Sequence, residues 1–246
     1  MDPQLKYEVH DNVVPIVLRK ELWYYLQTQK CFAMLKDEKD VNDRKIIPYY
    51  PIENKKEYYD RRNVSWNSQF MHRAVFGNNE NDISKHPAIE KLWNIINQHF
   101  DNKFVINGDP EECCCDEGND VPQRVYVNIQ PVEEIKRSHA VHRDTIELDE
   151  TKNFTLLYIA NTEWYPTWFG ELMFYENSDK FKDFQQWQAG HGQTRNFGVG
   201  HPFATIPTVP GRIVLWDGRM LHTTRPVAQW SPQFRYSLIF RVRLKD

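Results

Sequence analysis

The stretch His142-Arg143-Asp144, followed by Phe154-Thr-Leu-Leu-Tyr-Ile-Ala-Asn161 and Gly170-Glu-Leu-Met-Phe-Tyr-Glu176, decides how this sequence is read. Side chains in a strand alternate between faces, so this spacing places His142 and Asp144 on one side and Arg143 on the other. Two ligand atoms then face one point in space. A single His-x-Asp is a weak signal in a chain with nine histidines and 34 acidic residues, and Asp144 before Thr145 also suits a turn or a helix N-cap. The pair gains meaning from two segments nearer the C-terminus. Gly211-Arg-Ile-Val-Leu-Trp-Asp-Gly-Arg-Met-Leu-His222 ends in a second histidine. Arg235-Tyr236-Ser237 then opens an alternating run near the end of the chain, in which Arg235 and Ser237 share a face.

One carboxylate and two imidazoles, from His142, Asp144 and His222, can hold a divalent metal on one side and leave adjacent positions open, a donor set suited to Fe(II). An arginine fork opposite such a metal suits bidentate capture of a carboxylate. A dicarboxylate with one end on the metal and the other on Arg235 and Ser237 accounts for both features. A buried arginine without an anion is costly, so an inward Arg235 calls for a carboxylate partner.

These segments, in this order, resemble the Fe(II)/2-oxoglutarate-dependent dioxygenases, and within them the prolyl-4-hydroxylase-like branch. The resemblance covers about residues 121–246. It implies a mainly β fold with flanking α-helices, a double-stranded β-helix or jelly-roll barrel. It also implies Fe(2+) on His142, Asp144 and His222, with 2-oxoglutarate and O2 as cosubstrates. The reaction implied is hydroxylation of an unactivated C–H bond with release of succinate and CO2. Related halogenases lack the carboxylate ligand, so Asp144 points to hydroxylation, although desaturation and ring closure use the same triad. The resemblance further implies that Asn128 and Gln130, on the strand before the His-x-Asp loop, and Tyr158, on the strand after it, touch 2-oxoglutarate. By alternation alone Asn128 and Gln130 are the wet face of a half-buried strand, and Tyr158 is a core residue. Phe169 departs from the family pattern, which has a glycine pair at this turn.

Composition agrees with a globular chain: 40% hydrophobic residues, including eight Trp, twelve Tyr and fourteen Phe, supply a substantial core. A net charge of -3 and a pI near 6.3 give no general basic surface, so nucleic acid is not the expected partner. Arg44, Lys45, Arg61 and Arg62 read as solvated charges among neighbouring acids. No apolar run reaches signal-peptide or membrane-span length, and a soluble, cytoplasmic protein is expected. Cys31 and the consecutive Cys113, Cys114 and Cys115 lack C-x-x-C spacing and read as free thiols in a reducing compartment, with a metal or redox role as the alternative.

The spacing predicts helices over Pro15–Lys30 and Pro87–Phe100, with loops and one or two strands between them. One domain over 1–246 is expected, in which residues 1–120 supply helical support and loops and residues 121–246 the barrel core with the active site. Residues 177–207 form an insert whose glycine-rich part, 190–200, lacks strand alternation; a lid over the site and a plain surface insertion both fit. Trp164, Tyr165 and Trp168 suit core, rim or pocket lining. The substrate class stays open among a peptidyl proline, another amino acid side chain and a small molecule. Two other readings use the same residues: a zinc-dependent hydrolase on the same triad, which leaves Arg235 and Ser237 without a role, and a non-catalytic barrel-type binding module.

Overall fold

Leu18, Leu22 and Leu26 recur every fourth residue, and where they do the chain forms α1 (Ile16–Gln27), entered through Pro15. The computed structural model describes residues 6–28, 32–34, 71–77, 80–106, 125–130, 141–144, 153–177, 186–187, 194–195 and 199–245. A single turn, α2 (Glu80–Ile83), precedes α3 (Pro87–His99). Proline suits the first turn of α3, where its missing N–H has no partner to lose, and Ile89, Leu92, Trp93 and Ile96 form the buried stripe. Both helices start and stop within three residues of the expected bounds.

The strands, in chain order, are β1 (Tyr7–His10), β2 (Phe32–Met34), β3 (Met71–Gly77), β4 (Phe104–Ile106), β5 (Val125–Gln130), β6 (Asn153–Ile159), β7 (Leu172–Asn177), β8 (Gln186–Trp187), β9 (Thr194–Arg195), β10 (Val199–Ile206), β11 (Ile213–Asp217), β12 (Leu221–Thr224) and β13 (Arg235–Leu244). The larger sheet runs β1-β11-β6-β13-β5-β3-β2, with β4 paired to the far end of β13. The smaller sheet runs β10-β7-β12, and β8 and β9 form a separate hairpin. Among the described residues every strand pairing is antiparallel.

Alternation along β13 separates two cores. Tyr236, Leu238, Phe240 and Val242 pack outward with Leu22 of α1 and Leu92, Trp93 and Ile96 of α3. Ile239 points the other way, into a second cluster with Tyr126, Leu157, Ile159, Val214 and Trp216 of the larger sheet and Leu172, Phe174 and Ile206 of the smaller. Two sheets facing each other across an apolar interior, with helices backing the larger one, make the double-stranded β-helix.

Two expectations change here. The glycine-rich part of the insert, read as lacking strand alternation, holds the β9 strand and the first residues of β10. Pairing can form there because β10 is irregular, shifting register between Val199 and Pro202 and again before Ala204, which absorbs the residues that break alternation. The His-x-Asp segment is not a regular strand: its pairing is an isolated bridge between His142 and His222. Cys31, Cys113–Cys115, Arg44, Lys45, Arg61 and Arg62 lie outside the described residues. Among the described residues no helix is long and apolar enough to cross a membrane.

Leu92 is fully buried between α3 and the sheet, so Leu92→Ala is expected to destabilise the protein by about 2–5 kcal/mol in urea unfolding. Lys91 beside it faces solvent in an ion pair with Glu21 at 2.9 Å, and Lys91→Ala is expected to change stability by at most about 1 kcal/mol.

Candidate metal centre

The triad is assembled by a turn. Asp217 closes β11, and its side chain accepts the Arg219 backbone N–H at 2.9 Å and the Arg219 guanidinium at 2.9 and 2.6 Å. The Asp217 carbonyl accepts the N–H of Met220, and β12 leaves in a fixed direction. The same turn grips the His-x-Asp segment. The N–H of Asp144 donates to the Gly218 carbonyl at 2.8 Å, and His142 and His222 exchange backbone hydrogen bonds of 3.0 and 2.9 Å. Residues remote in sequence are thereby locked side by side.

Their side chains converge. Nε2 of His142 lies 3.6 Å from Asp144 Oδ1, and Nε2 of His222 lies 3.5 Å from Oδ2. One ligand atom from each of the three lies within 4.8 Å of the others. Nδ1 of His222 donates to the Met220 carbonyl at 2.9 Å, which leaves Nε2 as the lone pair turned to the site. Trp216 meets the His222 ring at 5.0 Å and Phe174 at 6.3 Å, so apolar rings fix the imidazole from both sheets.

Asp144 is held more firmly than a free ligand. Thr155 Oγ1 donates to Oδ2 at 2.6 Å, and the Arg241 guanidinium lies 2.5 Å from Oδ1. Arg241 also donates to Thr155 Oγ1 at 2.7 Å and to the Tyr126 hydroxyl at 3.4 Å. Burial pushes the Asp144 carboxyl up, but Arg241, then His222 and His142, reverse this and hold it well below the usual carboxylate range. Burial likewise pulls the Arg241 guanidinium down, and Asp144 more than restores it.

The second part of the site lies along the same face of β13. Arg235 is buried at 3% exposure and Ser237 at 1%, and among the described residues neither Arg235 Nε nor Ser237 Oγ has a hydrogen-bond partner. Burial lowers the Arg235 pKa to about 10, opposed by the charge of Glu171, so the side chain remains a cation at neutral pH. Gly170 makes room for it. A methyl group there would come within 2.9 Å of Arg235 Cδ, and the φ of +81° is one that side-chain-bearing residues avoid. Beside it, Phe169 takes φ 60° and ψ -141° where the family pattern has glycine, a strain of about 1–3 kcal/mol. Its ring lies under the Arg225 guanidinium at 3.6 Å and edge-on to Trp230 at 5.6 Å, contacts that only the large side chain can make.

Of the residues expected at the site, His142, Asp144 and His222 come together. Arg235, Ser237, Asn128 and Gln130 share the inward face of the larger sheet, with Arg235 opposite Gln130 and Ser237 opposite Asn128. Gln130 spends its amide on the Arg225 carbonyl at 3.2 Å. Tyr158 is a correction. It sits on the helix-facing side of β6 in the outer core, because Thr155, Leu157 and Ile159 take the inward positions. Burial raises its phenol pKa, with Arg19 of α1 opposing. Trp164 and Trp168 are buried against Val227, while Tyr165 is exposed. Thr155 and Arg241 were missed, although parity marks both: Thr155 is the polar residue in the middle of the inward row Asn153, Thr155, Leu157 and Ile159 of β6, and Arg241 repeats the phase of Arg235 and Ser237.

No family model and no curated protein sequence matches the chain. Solved structures that resemble it include a Pseudomonas putida prolyl-4-hydroxylase, 14% identical, covering 98% of this chain and 93% of that one at a TM-score of 0.43. A Trichoplax adhaerens prolyl hydroxylase, in complex with a hypoxia inducible factor oxygen degradation domain peptide fragment, is 15% identical, with 96% and 83% covered and a TM-score of 0.49. HygX from Streptomyces hygroscopicus, with nickel and 2-oxoglutarate bound, is 9% identical, with 98% and 84% covered and a TM-score of 0.46. These likenesses concern the course of the chain, and the chemistry of the site has to come from its own residues.

Removing Asp144 leaves Arg241 beside a hole. Asp144→Ala is expected to destabilise the metal-free protein by about 3 kcal/mol, the low end for breaking a buried pair, because Arg241 keeps 21% of its side chain exposed. His142→Ala, with 38% of the side chain exposed, is expected to change it by about 1 kcal/mol or less in the same urea titration.

Proposed function

We propose that the protein is an Fe(II)- and 2-oxoglutarate-dependent dioxygenase that hydroxylates a C–H bond. The observation that carries this reading is the pair of buried groups Arg235 Nε and Ser237 Oγ, without a hydrogen-bond partner among the described residues, on the same sheet face that leads to the His142–Asp144–His222 group. A buried polar atom without a partner is costly, and a site that keeps two of them side by side is complementary to an absent ligand. A guanidinium and a hydroxyl next to each other suit a carboxylate, and the triad suits a metal that the other end of the same molecule can chelate. A zinc hydrolase on the same triad has no use for Arg235 and Ser237.

In this reading His142, Asp144 and His222 hold the iron. Arg235 and Ser237 bind the distal carboxylate of 2-oxoglutarate, and Gly170 keeps the space that the guanidinium needs. Glu171 offsets the Arg235 charge when no ligand is bound. Met220 sets the ring orientation of His222, and Trp216 and Phe174 keep water from that side of the imidazole. Iron, 2-oxoglutarate and O2, once bound, would supply the oxidising chemistry: one oxygen atom of O2 ends in succinate as CO2 is lost, and the other ends in the hydroxyl of the substrate. The chain supplies placement and exclusion of water.

Anaerobic titration of Fe(II) and 2-oxoglutarate tests this through the visible metal-to-ligand charge-transfer absorbance. The band is expected only when both are present, and it is expected to vanish in His142→Ala. In Arg235→Ala it should need about a hundredfold more 2-oxoglutarate, the loss of one charge-assisted hydrogen-bonded contact of about 3 kcal/mol. A folded, metal-loaded wild type with no band would falsify the dioxygenase reading.

A further inference from the structure

Arg241 is a residue that neither the metal nor the distal carboxylate requires, yet it makes the shortest contact in the site, 2.5 Å to Asp144 Oδ1. Its charge changes what an incoming metal meets. Asp144 is the sole carboxylate in the ligating group among the described residues. Asp144 is the one acid of the triad, and the Arg241 guanidinium answers its negative charge. The side chain is anchored so that it stays, donating to Thr155 Oγ1 at 2.7 Å and to the Tyr126 hydroxyl at 3.4 Å. Thr155 completes a closed ring, because it donates its own proton to Asp144 Oδ2 at 2.6 Å. Nothing in this ring needs a metal to hold it in shape.

A dication approaching a carboxylate already paired with a guanidinium gains less from Coulomb attraction than it would from a free carboxylate, and it still has to give up water. An anionic chelator reverses the balance, since it brings the missing negative charge to the same place. We propose that Arg241 makes metal binding in this protein conditional on an anionic 2-oxo acid, acting as a positioning residue that neutralises Asp144 until the cosubstrate arrives. Bare metal then binds weakly, metal with cosubstrate binds tightly, and by linkage the metal raises the affinity for the 2-oxo acid by the same factor. Such coupling keeps a redox-active ion out of the site when nothing is there to be oxidised with it. The inference rests on the proposed dioxygenase reading for the identity of the anion. The charge cancellation itself rests on Arg241 and Asp144 alone.

The test uses Mn(II), followed by the EPR signal of the free ion, with the full chain in the presence and absence of 2-oxoglutarate. Wild type is expected to bind bare Mn(II) weakly and to tighten about tenfold or more with 2-oxoglutarate, within the usual range of coupling between two sites. Arg241→Gln, which keeps a hydrogen-bond donor and removes the charge, is expected to bind bare Mn(II) about tenfold more tightly and to gain only a few-fold from 2-oxoglutarate. Arg241→Lys keeps the charge and is expected to follow wild type, which separates the electrostatic role from the loss of packing. Arg241→Met, which retains the aliphatic stem, takes the place of the Gln variant if that does not fold.

A folded, charge-free variant that binds bare Mn(II) no more tightly than wild type overturns the proposal and leaves Arg241 as a brace for Asp144. Wild type that binds Mn(II) with no response to 2-oxoglutarate overturns the dioxygenase reading. In that case tighter binding of bare Mn(II) by the Gln variant still supports the cancellation.

Discussion

A carboxylate buried to 3% side-chain exposure needs its charge answered, and for Asp144 the answer comes from the far end of the chain. Arg241 on β13 and Thr155 on β6 close around it. The register of β13 against β6 sets Arg241 directly opposite Thr155. Ser237, two pairs of residues along the same face, is thereby carried toward the cosubstrate end, and Arg235 beyond it. One ion pair thus relates the His-x-Asp segment, the central strand pair and the anion-binding end. A shift of one residue in that register would turn Arg235, Ser237 and Arg241 into the helix-facing core.

The helices matter through the opposite face of the same strands. Trp23 meets Tyr236 edge-on at 5.0 Å, which fixes the strand between Arg235 and Ser237, and Trp93 stacks on Phe240 at 5.4 Å, next to Arg241. Packing on one side of a strand holds the orientation of polar groups on the other. Polar groups at fixed distances are what a metal site requires and what a surface loop alone does not supply. The strain at Phe169 serves the same placement: a left-handed backbone at the turn lets Gly170 pass close under Arg235, while the Phe169 ring is retained by Arg225 and Trp230.

Much of this was legible from residue pattern. The repeat of apolar residues every three to four positions located α1 and α3, because one face of a helix must be buried. Period-two alternation located β5 and β13 and put Asn128 with Gln130, and Arg235 with Ser237, on one side of each strand, while aromatic and aliphatic content marked β6. The same rule was enough to place Tyr158 opposite Thr155 on β6, since residues three apart cannot share a face. The family resemblance drew attention to the phenol, and the threonine at the inward position was passed over. The pairing of His142 with His222 followed no local pattern, because an isolated bridge contributes no period to read.

The sequence by itself determined which residue types the chemistry had to work with, which strands would alternate, and that two histidines, an aspartate and an arginine stood in an order suited to one metal and one dicarboxylate. Those properties are local or depend on order alone. Only the tertiary structure decided that Arg241 answers Asp144, that Gly218 and His222 clasp the His-x-Asp segment, and that Arg235 Nε and Ser237 Oγ have no partners among the described residues. Each of these depends on which strands become neighbours and in what register. Neighbourhood between segments distant along the chain is set by the burial of whole sheet faces, a quantity that no short window of sequence contains.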